Sequence, residues 1–102
     1  MESEFDIVSD EAIRREKEKA RRLRKTHWWK NKIQQGVCHY CQRQVGQAHL
    51  TMDHILPLSR GGKSRKGNIV PACKECNNKK KYLLPIEWEE YVNTLSEIIK
   101  EP

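Results

Sequence analysis

No run in this 102-residue sequence approaches the roughly 18 consecutive apolar residues that a membrane span needs. The first ten residues, MESEFDIVSD, lack the basic start and apolar stretch of a secretory signal peptide. With no export signal, the expected compartment is reducing: the cytoplasm of a bacterium or of a phage-infected cell. Apolar residues are scarce, at 36% with a mean hydropathy of −0.91, so any core is thin and a domain this small needs a staple. Internal repeats are absent, which excludes a solenoid. Glycine and proline are missing from the first 35 residues, so neither of the usual helix breakers acts there.

What the sequence has instead is charge, unevenly placed. A net charge of +6 and a pI near 9.3 favour a polyanionic partner. Residues 1–11 carry five acids and no base, whereas residues 14–32 carry ten lysines and arginines. Residues 60–81 carry eight more against the single acid Glu75, and residues 86–102 turn acidic again. Two separate basic blocks suit a track along a nucleic-acid backbone. The candidate contacts in the first block are Arg14, Arg15, Arg21, Arg22, Arg24, Lys25, Lys30 and Lys32. In the second they are Arg60, Lys63, Arg65, Lys66, Lys79 and Lys80.

Residues 1–8 are expected to fray. Ser9 or Asp10 can cap a helix by accepting from the free amides of its first turn. From Glu11 to about Asn31 the residues are mostly Ala, Arg, Lys, Glu and Leu, which predicts one long basic helix. Glu11–Arg15 and Glu18–Arg22 fall at i,i+4 in the favourable order. Apolar positions are sparse, so the first half of this helix should be exposed. Its end, THWWKNKI, should dock through one of Trp28 and Trp29, with Gly36 as the left-handed C-cap. Strands are expected within His49–Leu56, stopped by Pro57, and over Asn68–Ala72, with a basic Gly-Gly loop between them. A short helix should run from Lys74 to about Leu83, ended by Pro85. A last amphipathic helix should span Ile86–Lys100, its stripe of Trp88, Tyr91, Val92, Leu95, Ile98 and Ile99 serving as core packing. Residues 1–35 thus form a basic helical extension, and residues 36–102 the domain proper.

The four cysteines come as two pairs, Cys38-x-x-Cys41 and Cys73-x-x-Cys76, separated by 31 residues. In a reducing compartment such pairs are metal ligands rather than disulfides, and four thiolates match a closed, structural zinc site. His39 lies inside the first pair and reads as an exposed bystander, with ligation as the alternative. Between the pairs lie Asp53-His54 and Asn68, with Asn77 directly after the last cysteine. Hydrolysing a phosphodiester takes an activated water, a Lewis acid and charge neutralisation. His54 is the side chain suited to take a proton near neutral pH. Asp53 is a hard oxygen donor suited to Mg2+ or Mn2+. Neighbours on a strand point to opposite faces, so using both requires a twist or a strand end at this point.

Residues 38–80 resemble the HNH endonucleases, the ββα-metal group. The resemblance rests on Cys38-x-x-Cys41, Asp53-His54-Ile55-x-Pro57-Leu58-Ser59-x-Gly61-Gly62, Asn68-x-x-Pro71-x-Cys73-x-x-Cys76-Asn77 and Lys80. It implies a small α+β fold: a ββα-metal core with structural zinc, carrying here a long basic N-terminal helix and a C-terminal amphipathic helix. It also implies that Asp53 and Asn77 hold one catalytic divalent cation and that His54 is the general base. Asn68 would brace the loop that orients His54, and Lys80 would sit near the scissile phosphate. The third letter of the family name is often histidine, and here that position is Asn77, whose amide oxygen still ligates a hard cation. Asn78 is its rival in register.

The expected function is metal-dependent endonuclease cleavage of DNA, leaving 5′-phosphate and 3′-hydroxyl ends. One active site cuts one strand, so a double-strand break needs a homodimer or two visits by a monomer. The alternatives are a catalytically silent, zinc-stabilised nucleic-acid-binding module and a zinc-ribbon protein adaptor. Contact with a membrane is not expected.

Overall fold

Ser9 opens the first helix, its Oγ accepting from Ala12 N at 3.0 Å, in a computed structural model that describes residues 8–100, with side chains through Thr94. Of residues 1–8, expected to fray, all but Val8 lie outside the described residues, as do the side chains of Leu95, Glu97, Ile98 and Ile99. Helix α1 spans Asp10–Leu23, with Asp10 and Glu11 in its first turn and Arg21 and Arg22 in its last, both favourable to the helix dipole.

The single long helix expected here is two. The chain turns over Arg24–Thr26 and restarts as α2, His27–Ile33. Thr26 makes the break: its Oγ1 donates to Leu23 O at 2.6 Å and accepts from Trp29 N at 3.4 Å, ending one helix and capping the next. Along α1 the ion pairs run at i,i+3, Glu16 with Lys19 and Glu18 with Arg21, instead of the expected i,i+4 pairs. Nor is α1 merely exposed, since Glu16 and Ala20 are buried. In α2, Trp29 is buried and the helix packs on the second strand; Trp28 is half-buried under Lys32 and Lys66.

Gly36 follows with φ +71°, and a Cβ there would come within 3.0 Å of Gly46 Cα, so only glycine suits the crossing. The knuckle Cys38–Cys41 is a tight turn: Gln42 N donates to Cys38 O and Cys38 N to Arg43 O, while Val37 bridges Gln44. His39 N donates to Pro71 O at 2.8 Å, clipping the knuckle to the sheet.

Strands β1 (Leu50–His54) and β2 (Ile69–Cys73) pair antiparallel, with Asp53 opposite Val70 and His54 opposite Ile69. The loop between them closes by Ile55 N to Asn68 O at 2.9 Å. Gly62 allows the tight return, because a Cβ there would lie 1.8 Å from Leu56 O. Helix α3 (Lys74–Lys80) starts directly from β2, its N-cap Cys73 accepting from Cys76 N through sulfur. It ends three residues short of the expected Leu83.

Pro85 opens the last helix, α4 (Pro85–Lys100), rather than only ending the one before; its missing N–H costs nothing in a first turn. Glu87 accepts from Leu84 N at 2.7 Å to complete that start. The core is Cys38, Ala72, Cys73, Cys76 and Trp88, flanked by Tyr40, Val45, Leu50, Leu83 and Val92. The molecule is a small α+β fold with a two-stranded sheet and, among the described residues, four α-helices. Of the expected stripe of α4, Trp88 and Val92 roof the cysteine cluster, whereas Tyr91 is exposed and stacks on Trp88.

Candidate active site

The four Sγ atoms lie within 4.8 Å of one another, and Cys41 Sγ is 3.9 Å from Cys73 Sγ. Ligands of one tetrahedral zinc at about 2.3 Å stand about 3.8 Å apart, so this cluster can bind that ion. Burial works against the Cys41 and Cys73 thiolates, yet hydrogen bonds from Arg43 bring the Cys41 thiol down to about 6. Cys73 is also lowered, through the Cys76 N–H and Arg43, while burial pushes Cys76 up. Arg43 is a residue the sequence reading passed over: its Nε lies 3.3 Å from Cys41 Sγ, and its guanidinium also reaches Cys73 and Glu75. Its charge suits a sulfur cluster that is negative when metallated. His39 is exposed and outside the cluster.

Tyr40, between two of these cysteines, ties the cluster to the sheet. Its hydroxyl donates to Asp53 Oδ2 at 2.5 Å. Burial, and then the bond to Asp53, raise the phenol well above its usual range, so it stays a donor. Lys80 Nζ reaches the same Oδ2 at 3.3 Å and His54 O at 3.0 Å. Asp53 is itself buried, and no buried side-chain oxygen among the described residues lacks a partner. With Oδ2 taken twice and no bond made by Oδ1, the latter is the oxygen that opens to the cavity Asp53 lines.

Lys80 departs from its expected place. It is fully buried and has no surface to offer DNA. The run Lys79-Lys80-Lys81 looks uniform, but Lys80 lies four residues after buried Cys76 and shares its inward face. Its neighbours Lys79 and Lys81 are exposed, as are all the other basic residues named above as DNA contacts.

His54 ends β1, and both it and Asp53 line one cavity of about 370 Å³, together with Asn77, Met52, Tyr82 and Lys81. The strand end thus resolves the alternation that would have pointed them apart. Asn77 Nδ2 donates to Thr51 Oγ1 at 3.0 Å, which leaves its amide oxygen for the cavity; Asn78 is exposed and does not line it. The Asn68 side chain makes no hydrogen bond to His54. It staples the loop, accepting from Leu56 N at 2.9 Å and donating to Leu56 O and Lys63 O.

His54 Nε2 lies 2.9 Å from Ser64 Oγ, and Ser64 is held in turn by Glu16 of α1. Burial pushes the His54 imidazole below its ordinary value of 6.5, outweighing the pull of Asp53 and Glu16. Glu16 is lowered first by the Ser64 N–H, against its own desolvation. Helix α1 also supplies Ile13 and Lys17 to the cavity wall. None of Ser64, Lys17 and Glu16 carries a motif, and nothing in the sequence sets Glu16 apart from Glu11 and Glu18 on the same helix.

The sequence model for the HNH endonucleases matches residues 38–89. The chain belongs to the HNH endonuclease family. It is also 37% identical over 49 residues to a CRISPR-associated endonuclease Cas9 of Actinomyces naeslundii. That match covers 47% of this chain and 4% of the relative, so the chain spans a small fraction of that protein's length. Members of the family are nucleases that use divalent metals. Helix α1, with Lys17 and Glu16, lies outside the matched segment.

Proposed function

We propose that this HNH protein hydrolyses DNA phosphodiester bonds at the cavity where Asp53, His54 and Asn77 converge, and that convergence carries the reading. Asp53 Oδ1 and the Asn77 amide oxygen hold one divalent cation, Mg2+ or Mn2+, both being hard oxygen donors. Bound there, the cation supplies a Lewis acid and neutralises phosphate charge. His54, kept neutral by burial, takes a proton from water. The new bond joins the water oxygen to phosphorus, the P–O3′ bond breaks, the leaving O3′ takes a proton from solvent, and the ends are a 5′-phosphate and a 3′-hydroxyl.

Lys17 and Lys81 at the cavity wall draw in the phosphate, in the place first given to Lys80. Lys80 serves by holding Asp53. Asn68 serves by closing the loop on which Ser64 rides. Arg14, Arg15, Arg21, Arg22, Arg24, Lys25, Lys30, Lys32, Arg60, Lys63, Arg65, Lys66 and Lys79, all exposed, form the DNA-binding face. Zinc at Cys38, Cys41, Cys73 and Cys76 is structural. Residues 36–102 make the nuclease unit, and residues 1–35 its basic extension.

Nicking of supercoiled plasmid with magnesium tests the reading. The parent should nick, and His54→Ala should fall by about 10²–10⁴-fold while still binding DNA. Asp53→Ala should need far more magnesium or manganese. Equal rates for His54→Ala and the parent would leave a silent DNA-binding module as the better account.

A further inference from the structure

Ser64 has two donors, and both go to one residue. Its N–H donates to Glu16 Oε1 at 2.7 Å, and its Oγ–H to the Glu16 backbone carbonyl at 2.5 Å. A carbonyl oxygen only accepts, so the one hydroxyl proton of Ser64 is committed to it. The same Oγ stands 2.9 Å from His54 Nε2 and has only lone pairs left to offer. Nε2 must therefore be the donor in that contact, which puts the proton of the neutral imidazole on Nε2 and the lone pair on Nδ1. The chain His54–Ser64–Glu16 joins residues 48 positions apart, and Glu16 and Ser64 are both buried.

We propose that Ser64 and Glu16 are positioning residues that fix the tautomer and ring orientation of His54, so that docking of α1 completes the general base. The inference rests on His54 being that base. Asp53 is secured separately, by Tyr40 and Lys80. Helix α1 lies outside the segment shared with the family, so this chain assembles its base with a part that the matched segment does not contain. The proposed arrangement requires no movement and no titration, only that α1 stays seated through Glu16.

Second-sphere partners of this kind typically account for about 10–100-fold in activity. Ser64→Ala in the full zinc-loaded chain should lose kcat on that scale for plasmid nicking, with KM for DNA and the magnesium requirement unchanged. Ser64→Thr, which keeps the hydroxyl, should recover most of it. In parallel, ¹⁵N-labelled imidazole spectra should show His54 as the Nε2–H tautomer in the parent and a mixture of tautomers in Ser64→Ala. An undiminished kcat in Ser64→Ala, or a His54 tautomer unchanged by it, overturns the proposal. Should Ser64→Ala fail to fold, Glu16→Ala, which removes the acceptor of the Ser64 N–H and the surface ion pair with Lys19, is read the same way with a smaller expected loss. A parent that nicks nothing would sink the nuclease reading, but the tautomer comparison would still decide whether Ser64 holds the ring.

Discussion

Asp53 and His54 are neighbours in sequence, yet their side chains are held by different parts of the molecule. Asp53 is gripped from the cysteine side: Tyr40 from inside the first knuckle and Lys80 from α3 meet on one carboxylate oxygen. His54 is gripped from the loop side, by Ser64, which hangs on Glu16 of α1. The first set lies within the segment common to the HNH family, and the second reaches outside it. The difference teaches that the proposed cation binding and proton transfer rest on different side-chain supports, with Lys80 shared only through the His54 carbonyl. Each should fail to a different insult.

Cys73→Ser is the largest insult, because it takes both supports away. Structural zinc is worth about 10–16 kcal/mol in small domains. The variant should lose its far-UV CD signal, its zinc and all nicking, whereas the parent stripped of the catalytic cation should keep its fold. Lys80→Met comes next and strikes the Asp53 carboxylate first, while also removing the donor to the His54 carbonyl. A buried carboxylate left without its partner costs about 3–5 kcal/mol, read in urea unfolding without added magnesium, and magnesium should restore part of it. Retention of full stability would show that Lys80 is not the counter-charge of Asp53.

Tyr40→Phe is gentler. Losing one hydrogen bond to a charged group costs about 1.5–3 kcal/mol, and the variant should need more magnesium for half-maximal rate while its His54 tautomer stays as in the parent. The smallest perturbation is acid, which strikes the His54 side. Burial lowers the folded pKa of His54 below 6.5, so the neutral base persists into mildly acidic solution. Nicking should therefore rise with pH on a limb lying below 6.5 and be level above it. The unfolded chain binds the proton more readily, so His54 should also withdraw stability as pH falls from about 6.5 through its folded value. An activity limb centred above 6.5 would contradict the burial of this imidazole.

Much of this could be read from residues alone. The paired cysteines and the two strands follow from spacing and pattern, because metal ligands and strand residues recur at fixed distances along the chain, whereas the Asp53–His54–Asn77 set came from the resemblance to the HNH endonucleases. The break at Thr26 was missed because a threonine that caps through its hydroxyl looks, in composition, like any helix residue. Lys80 was misplaced because charge suggests exposure, and only its helical phase from Cys76 puts it inside. Tyr40, Ser64 and Glu16 could not be paired in advance. Their contacts span 13 and 48 positions and depend on how the knuckle and α1 dock, which no local pattern encodes.

Cys41 is the one exposed thiol of the four, and it is also drawn down toward the thiolate, to about 6. Peroxide reacts with accessible thiolates first, converting them to sulfenic acid. Oxidation of the metal-free protein is therefore expected to begin at Cys41, which does not line the cleft where cutting is proposed. A reagent that never enters that cleft can still silence it, by prising open the cluster that holds the two strands together. Storage under reductant, with zinc in modest excess, guards the place where the molecule is most easily spoiled.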